Sequence, residues 1–471
     1  MHEGSKPKGL SKVCQQVMQT FRSVAILLAY CTATVLAIVF PFRKWRRQFR
    51  QFSKSYIYGV KRSEVAKNYQ VVLQRIRTRG KPIEVLLVNA SAAKWSLQSL
   101  YDALDNDHRF NVKIVVVPRK SRGINYQKTY NFFEQKEMNV VHGYDSKKDC
   151  TFDLSIFAPD VVFLPEPGLD DAKYAPLRIS RYALTCYVPY SFMLFRNTDR
   201  QYNQPFHNEL WKSFCPSSIH LKMAQKAAED KGENVVITGY PKMDFFLKKP
   251  VEKEEHPSVV NGKDKKKKRI IWAPHWTVKP VPQPTTKDNV GTFVTYADAF
   301  YHYCKKSPEF DFILKPHPNL WHAVVQTKLL SAKQLELWLL RWNALPNTTV
   351  MDEGNYFDLF ASSDAMILDS CSFIAEYAYT QKPMLFLCKH KNTLTEAKYN
   401  EFGQTAIKHL YQAHCWEDVV RFMDEVVVQG KDPLCEQRVR FVNDVLKWTD
   451  KPACEIIMEY LASQLQPNNT C

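Results

Sequence analysis

Ala365-Met366-Ile367-Leu368-Asp369-Ser370-Cys371-Ser372-Phe373-Ile374-Ala375-Glu376 is the stretch that decides the fold. Four apolar residues in a row fit a strand buried on both faces. Small polar residues follow, and then a helical pattern starts. Ser370 or Ser372 is placed to cap that helix, with Glu376 reaching back from its first turn. A helix N-terminus offers free N–H groups and about half a positive charge, so such a turn suits a phosphate. An ordinary capped strand-to-helix turn would read the same way, so the surrounding chain has to arbitrate.

Outward from this segment, short apolar runs alternate with helical patterns. Strands are expected at 270–273, 312–315, 349–351, 365–368 and 383–387, with helices at 323–340, 356–361 and 373–379. Amphipathic helices at 416–428 and 438–446 close the chain. An earlier series has strands at 83–88, 112–117, 140–141, 161–164, 184–188 and 235–238, with a helix at 96–104. Repeated βαβ units of this kind build parallel sheets. The expectation is an α/β chain of two Rossmann-like domains, 56–247 and 269–430, facing a cleft. A charged linker, 248–268, separates them, and C-terminal helices occupy 431–471. Chemistry is expected just after the strands, because ligands of open parallel sheets bind at the carboxyl ends. No GxGxxG, P-loop or GxSxG is present.

The formal net charge is +17. Much of the excess is local, in Arg43, Lys44, Arg46, Arg47, Arg50 and Lys54, and in Lys263, Lys265 to Lys268 and Arg269. Neither cluster is interleaved with aromatics as a single-strand-binding surface would be, so nucleic acid is excluded as a partner. The first cluster follows 23–42, SVAILLAYCTATVLAIVFPF, which has no charge and about the length of a bilayer span. Residues 1–55 are therefore expected to form a membrane-associated N-terminal segment carrying a helix. The basic cluster would hold the body at the anionic cytoplasmic leaflet. A helix lying in the interface, held by Trp45, Phe49 and Phe52, would place the body on the same side. The twelve cysteines include no CxxC pair, so free thiols are expected, with no metal and no cofactor.

Four further stretches carry reactive or charged groups directly after strands or in tight turns. In Lys315-Pro316-His317-Pro318 the prolines stiffen the backbone around His317. Trp272-Ala273-Pro274-His275 delivers a second histidine. Gly239-Tyr240-Pro241-Lys242 is a turn carrying a lysine. Asp352-Glu353 is an acidic turn suited to ribose hydroxyls or to capping the next helix.

In order, the Gly-Tyr-Pro, Ala-Pro, His-Pro and Asp-Ser-Cys-Ser motifs resemble those of the CDP-glycerol glycerophosphotransferase family, the polymerases and primases of teichoic-acid-type chains. Lys382-Pro383-Met384 also fits that pattern. The resemblance covers roughly residues 235–430, and the N-terminal half only in outline. It implies a GT-B-like fold and a CDP-activated donor, with CMP released on transfer to a hydroxyl of a lipid-linked or glycan acceptor. On this reading Lys315, Asp369, Ser370, Cys371, Ser372, Glu376, Gly239, Tyr240 and Lys242 bind the donor and its phosphates. Asp352 and Glu353 face the ribose, and His317 is catalytic. The family's N-terminal His-Gly-Thr turn corresponds to Cys186-Tyr187-Val188-Pro189-Tyr190-Ser191, which lacks a histidine, so His275 is the expected substitute base, ahead of Tyr190. A sugar-nucleotide glycosyltransferase or epimerase on the same fold, and a membrane-bound scaffold without activity, remain the alternatives.

Overall fold

The computed structural model describes residues 43–196, 198–248, 259–260, 263–264, 267–278, 290–352, 356–371, 373–391 and 393–466. The apolar segment 23–42, Glu353 and Ser372 lie outside these residues. Among the described residues no helix is long and apolar enough to cross a membrane.

The first sheet contains β1 (Ile83–Asn89), β2 (Phe110–Val116), β3 (Val140–His142), β4 (Val161–Leu164), β5 (Leu184–Tyr187), β6 (Lys212–Cys215) and β7 (Val235–Ile237). Their spatial order is β3-β2-β1-β4-β5-β6-β7, and every pairing is parallel. The runs are continuously apolar because both faces are covered. In β1, Val85 and Leu87 enter one core while Leu86 and Val88 enter another.

The second sheet contains β8 (Lys268–Ala273), β9 (Phe310–Leu314), β10 (Thr348–Val350), β11 (Ala365–Leu368), β12 (Met384–Leu387) and β13 (Tyr411–Ala413). Its order is β10-β9-β8-β11-β12-β13, again all parallel. Trp272 pairs with Leu314 and Ala273 with Leu368, so three strands end level with one another.

β6 and β13 were not expected. Each is short, with an exposed or half-buried polar residue that breaks the apolar run. The single helix expected at 323–340 is two, Leu320–Gln326 and Ala332–Asn343. Ser331 restarts the helix: its hydroxyl accepts from Gln334 N at 3.2 Å, and Gln334 Oε1 accepts from Ser331 N at 2.8 Å.

Helix α1 (Arg43–Arg79) runs unbroken through residue 55 and buries Val65, Tyr69, Val72 and Ile76 in the first unit. Helix α2 (Gln98–Asp105) packs against the chain's last helix, Ala453–Leu465, which therefore returns to the first unit. Asp244 fastens it there, its two oxygens accepting from Ala453 N at 2.8 Å and Cys454 N at 2.9 Å. These N–H groups have no partner within their own helix, so the carboxylate satisfies them. The two units also meet between residues 192–196, after β5, and 398–403. Asn400 N donates to Leu194 O at 2.8 Å and Arg196 N to Lys398 O at 3.0 Å. One apolar core runs from Val85 and Leu461 through Phe192 and Phe402 to Met366 and Leu368.

Candidate active site

In the second sheet the strand order reverses between β8 and β11. A crevice opens at the carboxyl ends where an order reverses, and ligands settle there. Pro274 and His275 follow β8, Asp369 and Ser370 follow β11, and Lys315 to His317 follow β9. The backbone sets their positions. Lys315 N donates to Trp272 O at 2.8 Å and His317 N to Pro274 O at 3.0 Å. The two imidazoles consequently lie with ring centroids 5.1 Å apart.

Asp369 is fully buried. One oxygen accepts from His275 N at 2.7 Å, and the other from Thr292 N at 2.6 Å and Thr292 Oγ1 at 2.8 Å. Burial pushes its carboxyl up to about 7, while the Thr292 and His275 donors favour the charged form. Its expected role on the donor is therefore corrected. With both oxygens satisfied inside the protein, Asp369 fastens the His275 loop and the start of α3 (Phe293–Lys306) to the end of β11. Thr292 was missed, although a threonine ahead of an amphipathic helix is a recognisable cap signal. Its hydroxyl serves Asp369 instead of the helix.

Both histidines are held neutral. Burial, followed by the neighbouring charge of His317, lowers His275 to about 4. Burial, followed by Lys315, lowers His317 to about 4. Nδ1 of His275 lies 2.9 Å from Thr277 Oγ1 and 3.3 Å from Thr277 N, and Nδ1 of His317 accepts from Asn319 N at 3.1 Å. A neutral ring whose Nδ1 accepts carries its proton on Nε2, so the Asn319 donor assigns the Nε2–H tautomer to His317. An N–H donor on a ring beside the crevice suits a phosphate oxygen.

Lys315 is buried, with Nζ 3.4 Å from Asp352 O. Asp352 Oδ1 accepts from Trp321 Nε1 at 3.1 Å. The next helix, Phe357–Ser362, has no side-chain cap, so Asp352 does not cap it. Ser370 is buried at the end of β11. Cys371 contacts Tyr399 through Sγ and the hydroxyl at 3.5 Å, and burial pushes its thiol up to about 11. The helix after β11, α4 (Ile374–Ala378), starts at Phe373 without a side-chain cap. Glu376 instead accepts from Lys242 Nζ at 2.8 Å and Tyr356 Oη at 2.7 Å. Lys242 and Glu376 thus neutralise each other at the junction of the units, which corrects their assignment as phosphate ligands. In the same turn Gly239 has φ +85°, which an L side chain rarely adopts. Tyr240 is buried with its ring 4.7 Å from Phe192 and its hydroxyl without a partner.

Two parallel sheets joined through a shared core, with a donor-lined crevice in the second, define a GT-B-like α/β protein. The chain belongs to the CDP-glycerol:poly(glycerophosphate) glycerophosphotransferase family, whose model matches residues 195–463, more than half of its length. It is a transferase of the CDP-glycerol glycerophosphotransferase type. Among solved structures, it resembles a variant of the wall teichoic acid polymerase TagF soaked with CDPG, at 12% identity and TM-score 0.52, covering 89% of this chain and 98% of that one. Another structure of TagF matches at 14% identity and TM-score 0.50, with the same coverage, 89% and 98%. UDP-GlcNAc 2-epimerase from Neisseria meningitidis, bound to UDP-GlcNAc, matches at 12% identity and TM-score 0.52, covering 81% of this chain and 100% of that one. At these identities the likeness is one of fold. No curated protein matches the chain by sequence.

Proposed function

We propose that the chain moves glycerol phosphate, or a similar phospho-polyol, from a CDP-activated donor to a hydroxyl of a membrane-linked or glycan acceptor, releasing CMP at the cytoplasmic face of a membrane. The observation that carries this reading is the pair of neutral histidines, His275 and His317, fixed at one crevice with ring centroids 5.1 Å apart and the N–H of His317 on Nε2. The donor's diphosphate lies across the carboxyl ends of β8, β9 and β11. The acceptor oxygen attacks the β-phosphorus, the bond to the bridging oxygen breaks, and CMP leaves. The N–H of His317 meets the charge that develops on the diphosphate, with Lys315 behind it, and His275 holds a second oxygen. Donors preorganised in this way act without reorganising during the reaction. The basic cluster Arg43 to Lys54 supports a membrane surface as the place of work.

The test is CMP release by the full-length chain from CDP-glycerol, with and without an oligo(glycerophosphate) acceptor. Thermal shifts with CDP-glycerol, CDP-ribitol, CMP and UDP-GlcNAc run alongside. Acceptor-dependent CMP release with stabilisation by cytidine nucleotides is expected. Stabilisation by UDP-GlcNAc alone, without CMP release, would overturn the reading in favour of sugar-nucleotide chemistry.

A further inference from the structure

We infer that Glu166 is the base that takes the proton of the acceptor hydroxyl, in a second crevice formed by the first sheet. This rests on the transferase reading and supplies a proton acceptor for the hydroxyl, where His317 presents N–H to the donor crevice. The first sheet reverses its order between β1 and β4. The rule that places the donor crevice between β8 and β11 therefore places one here as well. Glu166 follows β4 in Pro165-Glu166-Pro167 and is buried. Lys94, beyond the end of β1, donates to its Oε2 at 2.6 Å. Arg119, beyond the end of β2, is also buried, with Nε 3.6 Å from Oε1 and no hydrogen bond at that nitrogen. The other end of Arg119 is held by Asp170 at 3.1 Å. Lys94 Nζ lies 4.6 Å from the ring centre of Tyr190, after β5.

Groups from four strand ends thus converge on one carboxylate. As a structural device it is expensive, because each of these buried charges gives up its hydration before their attraction is counted. As a site it has what a hydroxyl needs: a carboxylate oxygen beyond hydrogen-bond reach of its cation, and an ammonium to hold the hydroxyl oxygen. The segment after β5 connects the two units. Past Tyr190, Phe192 stacks on Phe402 at 5.3 Å and Phe195 on Tyr399 at 5.6 Å. Tyr399 in turn touches Cys371 of the donor turn. In the step, the acceptor O–H bond breaks and its proton passes to Glu166 Oε1. The oxygen's electron pair forms the new bond to phosphorus, and CMP departs with the electrons of the broken P–O bond.

The test uses the full-length chain, CDP-glycerol and an oligo(glycerophosphate) acceptor. In Glu166→Gln, kcat for CMP release is expected to fall about 10²–10⁴-fold, with KM for CDP-glycerol and the thermal shift by CMP unchanged. A wild-type kcat overturns the assignment, and so does a loss confined to donor KM. If Glu166→Gln does not fold, Glu166→Asp decides, because it keeps the charge that pairs with Lys94 and Arg119 but withdraws the carboxylate. Its kcat is expected to fall ~10²-fold, and an unchanged kcat overturns the assignment. A wild-type chain that releases no CMP from CDP-glycerol overturns the transferase reading itself.

Discussion

Lys242 donates to Glu376 at 2.8 Å, joining the turn after β7 in one unit to the helix after β11 in the other. The side chains are 14% and 4% exposed, and Tyr356 donates to the second carboxylate oxygen. Removing one partner leaves the other charge buried, at a cost of about 3–5 kcal/mol, whereas replacing both with apolar groups can be neutral. Lys242→Met should therefore unfold at markedly lower urea, and Lys242→Met with Glu376→Leu should recover most of the loss. Equal midpoints for the single and double variants would show that the pair is not coupled.

His317 carries its N–H on Nε2 and lies outside the apolar cores. His317→Ala should lower kcat for CMP release by about 10²–10³-fold, the typical cost of one lost donor to developing charge, with little change in Tm. His317→Gln, which restores an N–H, should recover part of the rate. Full activity in the alanine variant would remove His317 from the mechanism.

Stability should fall on acidification. His275, His317 and His207 are each held near 4 by burial, well below the ordinary 6.5. The unfolded chain therefore binds protons first, and stability present above pH 6.5 is lost as pH falls towards 4. Asp369, raised to about 7, acts in the opposite direction: it is protonated earlier in the folded chain and adds stability as pH falls below 7. His220 and His409 are held lower still, near 3, and act with those three histidines, while Glu209, Asp230 and Asp244, raised by burial from a lower starting point, act with Asp369. Between pH 6.5 and 4.5 the five histidines prevail, so Tm should decrease. A His275→Gln, His317→Gln double variant should show a shallower decrease.

Gly403 sits where the two units touch. A Cβ there would lie 2.3 Å from Leu194 O, a backbone atom that cannot move without shifting the segment after β5. Gly403→Ala should cost about 1–3 kcal/mol or more by overpacking, read from urea unfolding. Unchanged stability would mean that this contact between the units yields freely.

The amino-acid sequence by itself determined the α/β class, the two strand series and the turns at which His275, His317 and Asp369 fall. Continuous apolar runs are a local signal, and both sheets are buried on both faces, so the runs were legible. β6 and β13 were not, because their register comes from neighbouring strands and not from their own short, mixed composition. The motifs located the turns around the crevice of the second sheet but not the partners of their side chains. Asp369 saturates itself on Thr292 and His275, residues 77 and 94 positions away in the chain, and Glu376 turns to Lys242, 134 positions away. The tautomer of His317 and the convergence of Lys94, Arg119, Tyr190 and Glu166 were likewise decided only by the tertiary structure. A side chain's partner, and hence its charge and proton, is fixed by which strand ends the fold brings together, and spacing along the chain does not encode that.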